Sequence, residues 1–281
     1  MVAITSQTMR AEIQRMQRLS QSISEDQAAV SSGKKIRIAS QDPQTWVQIS
    51  EIGRAQVQNE AWTQNIGYGV ARANKAEANL NEINGLFSRA RELMINASTS
   101  TLDAAGQAAI VAELQSIRAA ASDLLNENDY QGVPVFDDNV STQVPVSRNL
   151  TLEVVGTRQS ISENIDVDGT PRTLDDILLE AINAVTSNVQ TDRDNSLRSL
   201  EVGLDHVILQ QSVQGIRGDR LEDVQNRVTD TQLDLSERRS ELEDTDLNVV
   251  IARIQSKLLS LEAAQATLAR INRQSLFDLI R

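Results

Sequence analysis

Cysteine is absent from the 281 residues, which excludes a disulfide framework and any thiolate chemistry. Aromatic residues make up only 2% of the chain, too few to anchor the kind of core that large rings usually dominate. Proline occurs four times, at 43, 134, 145 and 171, so 44–133 and 172–281 hold none. An interior proline costs a helix about 3 kcal/mol. That distribution leaves room for two long helical tracts around a middle segment. Basic stripes are missing too, and the net charge of −12 runs against phosphate contacts, so nucleic acid is not an expected partner. No run approaches the ~20 apolar residues of a membrane span, and membrane insertion is not expected. The opening Met1-Val2-Ala3-Ile4-Thr5-Ser6 lacks a basic segment ahead of an apolar run, so no cleaved secretory signal is expected.

What is present is apolar periodicity. Ile66, Ala73, Ala76, Leu80, Ile83, Phe87, Ala90, Met94 and Ala97 follow the alternating three-and-four spacing of a coiled-coil seam, interrupted by Gly69. A second column steps by sevens through Leu200, Val207, Gln214, Leu221, Val228, Leu235 and Leu242, apolar except at Gln214. Residues 197–242 as one helix would span roughly 69 Å at ~1.5 Å per residue. A rod of that length suits building more than enclosing a reaction. Shorter stripes mark both ends: Met9, Ile13, Met16, Leu19 and Ile23, then Leu247, Ile251, Ile254, Leu258, Leu261 and Leu268. These either pack on each other within one chain or wait for neighbouring subunits to complete a core.

Ser31-Ser32-Gly33 reads as the end of the first helix. Asp42 is placed to cap the next, with Pro43 in its first turn, where a missing N–H costs nothing. That helix should run from about Pro43 to near Ala97, and a third should be capped near Asp103. Between 131 and 171 the pattern changes to short alternating runs around Val133, Val144, Val146, Leu150, Leu152 and Val154, punctuated by glycine and proline. This is expected to be a hairpin-rich insertion, adding nothing to either seam, so that residues 136–168 could be removed. Thr173 with Asp176 forms an acidic capping box opening a helix over 174–190.

Candidate chemistry is sparse. His206 is the sole histidine and reads as a helical residue on the surface or flank of a seam, because a metal site needs several converging ligands. The acidic run Glu237, Glu241, Glu243, Asp244 and Asp246 is interleaved with Arg238 and Arg239 and reads as a solvated charged face. Arg217-Gly218-Asp219 falls inside a helical tract. The sequons at Asn96, Asn139 and Asn149 are short enough to arise by chance. No phosphate-binding loop or nucleophile elbow appears, so an enzyme is not expected and no cofactor or metal is assigned.

Four motifs in order, Ser32-Gly33-Lys34-Lys35-Ile36 with Ala39-Ser40-Gln41-Asp42-Pro43, Arg89-Ala90-Arg91-Glu92-Leu93, Leu242-Glu243-Asp244-Thr245-Asp246-Leu247, and Ser275-Leu276-Phe277-Asp278-Leu279-Ile280-Arg281, resemble those of the flagellin superfamily. The resemblance covers nearly the whole chain outside the β segment. Gln41 departs from it, where the family usually carries a second Asp. Asp42-Pro43 and the chain's ending resemble the family's hook–filament junction branch more than its filament subunits.

The resemblance implies a mainly α fold with a small β insertion: a long antiparallel helical rod, N- and C-terminal helices pairing, and a β-rich tip. Its implied domains are 1–40 plus 245–281, terminal and mobile in the monomer; 41–130 plus 172–244, the rod; and 131–171, the outer β domain. It implies self-assembly with other flagellin-family subunits and a neighbouring hook-associated protein. It further implies an export chaperone, the flagellar type III export apparatus, and a place in the extracellular flagellum. Arg91, Glu92 and Leu93 are implied interface residues. A filament subunit, and an intracellular coiled-coil scaffold or binding module, remain as alternatives.

Overall fold

A computed structural model describes residues 2–99, 103–129, 131–187 and 189–278. Its elements run α1 (Val2–Ser32), α2 (Pro43–Thr99), α3 (Ala104–Leu125), β1 (Thr142–Ser147), β2 (Leu150–Val155), α4 (Arg158–Ser162), β3 (Ile165–Val167), β4 (Thr170–Arg172), α5 (Leu174–Ser187), α6 (Gln190–Glu243) and α7 (Leu247–Asp278). The chain is thus mainly helical, with a small β region set between the two long tracts. Of the ending motif, Leu279, Ile280 and Arg281 lie outside the described residues.

Local chemistry explains the helix starts. One Asp42 carboxylate oxygen accepts from the Gln44 and Thr45 amides, both at 3.1 Å, and the other accepts from the Thr45 hydroxyl at 2.7 Å. Asp103 caps α3 by accepting from the Gly106 amide at 2.8 Å. Thr173 and Asp176 exchange reciprocal bonds at the start of α5, each backbone N–H donating to the other's side chain at 3.0 Å. The helix expected over 174–190 stops at Ser187. Thr191-Asp192-Arg193-Asp194 instead opens α6, where Asp192 complements the positive end of the helix.

The chain divides into two compact units. One comprises Met1–Val57 and Gln232–Arg281; the other is Gln58–Thr231. In the first, α1 packs along α7, and Ile23, Ile36, Ile49 and Val250 are its buried apolar residues. Leu235 and Leu242 are half-buried there.

In the second unit the buried side chains form two clusters. One gathers Ile83, Phe87, Met94, Leu114, Ile177, Leu200 and Val207 with Ile165 and Val167. The other gathers Ile66, Ala73, Ala76, Leu80, Leu221, Val224 and Val228 with Val135, Phe136, Val144, Val146, Leu152, Val154, Val155 and Ile161. Both antiparallel hairpins, β1–β2 with Val144 opposite Leu152 and β3–β4 with Val167 opposite Thr170, therefore feed the helical core. This corrects the expectation that the segment adds nothing to the seams. Its alternating pattern has an inward face, and α2 and α6 supply the surface that buries it.

The two breaks in the seams sit where the hairpin docks. A Cβ on Gly69 would lie 3.3 Å from Val144 Cγ2 and 3.4 Å from both Leu221 Cδ2 and Val154 Cγ2, so a side chain here would press on the Val144 methyl that glycine leaves undisturbed. Gln214 is buried and donates to the Val154 carbonyl at 2.9 Å and to the Ala73 carbonyl at 3.5 Å. One buried amide thereby ties α6, α2 and β2 together.

Candidate assembly surfaces

The terminal helices carry the first set of expected residues. Ile23 is buried. Met9, Met16, Leu19, Ile254, Leu261 and Leu268 are half-buried. Ile13 (39%), Ile251 (44%) and Leu258 (41%) are exposed, as are Leu247, Val249 and Leu259, the last at 69%. Pairing with α1 therefore leaves part of the α7 apolar stripe uncovered. A groove of about 870 Å³ runs between the helices, lined by Met9, Met16 and Leu19 on one side and Ala263, Ala264 and Leu268 on the other.

Nearer the other end of this pair, polar contacts join the helices. Lys257 Nζ donates to Asp26 and to the Ser22 hydroxyl, both at 2.6 Å, and Arg253 reaches Asp26 at 3.5 Å. Just beyond, the α1–α2 and α6–α7 connectors are stitched together. The Lys35 amide donates to the Glu243 carbonyl and the Thr245 amide to the Gly33 carbonyl, both at 2.8 Å. Gly33 has φ +70°, a conformation that side-chain-bearing residues rarely adopt. The Glu243 carboxylate is bound by Lys34 and by Arg239 Nε at 2.8 Å, while Arg239 also donates to Gln56 at 3.0 Å. Burial pushes the Glu243 carboxyl upward, but bonds from Lys34 and Arg239 outweigh it, and the net shift is below the ordinary 4.5.

Glu243 therefore departs from the expected solvated acidic face. It is a buried member of an ion-pair cluster, and Lys34 and Glu243 belong to two separate motifs that the fold brings together. The sequence signal available was a charge of each sign within two helix-breaking connectors.

Within the second unit, Ile66, Leu80, Ile83, Phe87, Met94, Leu200, Val207 and Leu221 are at most 1% exposed, and Val228 is 8% exposed. Leu221 packs near Gly69, in the cluster of Ile66 and Leu80, rather than in that of Ile83 and Phe87. Leu93 is buried in the latter cluster. Arg91 pairs with Glu201 at 2.9 Å and Glu92 with Arg89 at 2.7 Å, both on exposed surface. Periodicity did not reveal Arg72. Its buried guanidinium binds Asp129 at 2.7 Å and the Val135 carbonyl at 3.3 Å, pinning the loop before β1 to α2. His206 bonds the Ile161 carbonyl at 3.0 Å on the flank of the core. Arg217 lies inside α6 and pairs with Glu153 of β2. No described helix is long and apolar enough to cross a membrane.

Comparison with known proteins gives a consistent picture. A sequence model of the bacterial flagellin N-terminal helical region matches residues 3–141. Flagellar hook-associated protein 3 of Escherichia coli (strain K12) is 22% identical over 286 residues, covering 89% of this chain and 90% of the relative. Flagellin of Bacillus subtilis (strain 168) is 26% identical over 267 residues, covering 87% and 88%. Among solved structures, flagellar hook associated protein-3 from Legionella pneumophila matches with a TM-score of 0.63 at 12% identity, covering 69% of this chain and 98% of that one. The flagellar junction protein FlgL from the same organism matches at 0.57 and 14% identity, covering 70% and 100%.

Proposed function

Because the chain belongs to the flagellin superfamily, with likeness along its length to hook-associated protein 3, we propose that it is a structural subunit of the bacterial flagellum that joins hook to filament. The observation that carries the assembly part is the terminal pair. Ile251, Leu258 and Leu259 stay exposed on α7 although α1 already packs against it. Apolar surface left open on a paired helix is surface for further helices, and burying it contributes about 25 cal/mol per Å². On this reading the chain is not an enzyme. Its partners are copies of itself, flagellin-family subunits and a neighbouring hook-associated protein. It reaches the outside of the cell through the flagellar type III apparatus, handed over by an export chaperone. Arg91, Glu92 and Leu93 lie at or beneath the surface that meets neighbours.

The second reading, a filament subunit, is favoured by the likeness to B. subtilis flagellin. One experiment separates the two. The gene is expressed in a motile strain whose own junction protein has been deleted. Restored filaments anchored to hooks support the junction, with this chain confined to the hook–filament boundary by immunogold. Labelling along the whole filament supports flagellin, and unanchored filament subunits in the medium with no rescue would refute the proposal.

The same reading expects the ends of the purified monomer to be open to protease. Trypsin should cut first at Arg10, Arg15 and Arg270, within about the first 40 and last 35 residues, and leave the middle intact, because the terminal stripes lack aromatic anchors to offset their ordering entropy. Full-length protein surviving when internal sites are already cut would contradict it.

A further inference from the structure

We infer that the solvent face of α6 between Asp205 and Asp223 is a docking surface for an amphipathic helix whose apolar centre is flanked by lysine or arginine. Such a surface needs no flagellar role for the chain, so its test stands apart from the junction experiment.

Asp205, Ile208, Ser212, Ile216, Asp219 and Asp223 follow one another at steps of three and four, so they share one face of α6 over about 27 Å. All six are exposed. Leu209 stands beside Ile208, and Leu209 and Ile216 are each more than half exposed. Among the described residues, no other helix of the 58–231 unit sets three large apolar side chains in the open within that unit. Between Ile208 and Ile216 the surface dips, because Ser212 is small and a Cβ on Gly215 would meet nothing within 4 Å. Glycine inside a helix is destabilising. No contact within the chain calls for it here, whereas a partner side chain seated in the dip does. The borders of the face are fixed. Asn84 of α2 donates to Gln211 at 2.9 Å along one side, and His206 bonds the Ile161 carbonyl at 3.0 Å along the other, so docking has little left to order.

Charge identifies the occupant. From Ser199 to Asp223, α6 carries Glu201, Asp205, Asp219, Glu222 and Asp223 against Arg217 and Arg220, and Arg217 is already engaged by Glu153. Arg198, the next cation upstream, pairs with Asp168 at 3.3 Å. Asp205, Asp219 and Asp223 have no ion-pair partner among the described residues. The apolar centre is thus acidic at both ends, which matches a helix carrying cations about 21 Å apart on its apolar face. Acidic residues outnumber basic ones two to one across the whole 58–231 unit, so the same face of a second copy would meet like charge. A cationic amphipathic helix instead buries Ile208, Leu209 and Ile216 and pairs the ends.

Fluorescence anisotropy on the full-length monomer tests this with a labelled synthetic helix of about 18 residues, alanine-based, with leucine at the centre of one face and lysine at both ends of that face. A scrambled peptide of the same composition, and a version with glutamate for lysine, should each bind at least about tenfold more weakly. Leu209→Ser and Ile216→Ser should each weaken binding of the lysine helix about fivefold or more. Asp205→Asn combined with Asp219→Asn should weaken it too and flatten its dependence on salt. Gly215→Leu should weaken docking without lowering the melting temperature, since its side chain fills the dip and meets no neighbour. Leu259→Ser, on α7, is the control and should change nothing. Equal affinity for the scrambled peptide would reduce the effect to net charge. A loss with Leu259→Ser as large as with Leu209→Ser would place the binding elsewhere. A dimer of the chain abolished by Leu209→Ser would make the face a contact between copies. Any of these three results overturns the proposal, and none of them depends on whether the chain rescues a junction mutant.

Discussion

Removing residues 136–168 and rejoining the chain through a short glycine-containing linker is expected to abolish the cooperative melting transition of the 58–231 unit. The deleted stretch supplies Phe136, Val144, Val146, Leu152, Val154, Val155 and Ile161, seven of the fifteen buried residues in one cluster among the described residues, and Ile165 and Val167 in the other. Burying an aliphatic or aromatic side chain contributes roughly 1.5–3 kcal/mol, whereas a whole domain is stable by only about 5–15 kcal/mol. Losing several such side chains would expose Ile66, Ala73 and Leu221 to water. Gln214 would also lose the Val154 carbonyl and leave a buried amide underbonded. Circular dichroism against temperature decides the matter. An unchanged, sharp transition in the deletion variant would mean that α2 and α6 close over the gap unaided.

Leu221→Ala should cost the monomer about 2–5 kcal/mol, because it removes buried methyl groups and leaves a cavity that the surroundings fill only in part. The side chain is fully buried beside Gly69 and the β1–β2 valines Val144 and Val154. Leu261→Ala should cost the monomer far less, since Leu261 is half-buried beside the gapped part of the α1–α7 pair, and should instead weaken assembly. Chemical denaturation of monomers and sedimentation of assembled material separate the two effects. Equal losses of monomer stability would show that α7 is firmly docked in the free chain. The assembly-coupled ordering of the termini would then be wrong, and an intracellular scaffold would become the better reading.

Much of this architecture was legible because helix signals are local. The caps at Asp42, Asp103 and Thr173–Asp176 are set by residues within one turn of each other, and the columns through Ile66–Ala97 and Leu200–Val228 follow helical period. What escaped was every feature set by residues distant in the chain. Gly69 and Gln214 looked like flaws in their columns. They are the positions where a strand from the middle of the sequence meets both helices, one by size and one by hydrogen bonding. Arg72 gave no signal and Glu243 read as part of a solvated face, because nothing near them in sequence reveals Asp129 or Lys34. Leu235 and Leu242 kept the period but not the burial, since period states which face a residue shares and not whether a third element covers it.

The pairing of early with late residues has a consequence for the order of events during synthesis. Residues 1–57 have their compact partner only at 232–281, and Ile66 and Leu80 share a core with Leu221, Val224 and Val228. While the ribosome is still making the first three-quarters of the chain, α1 has emerged without the α7 that packs along it, and the cluster around Ile66 and Leu80 lacks its α6 members Leu221, Val224 and Val228. Such high contact order delays closure until translation is nearly complete. Until these pairings close, the burden of preventing premature aggregation falls on the chain's acidic charge and its scarcity of large aromatic side chains.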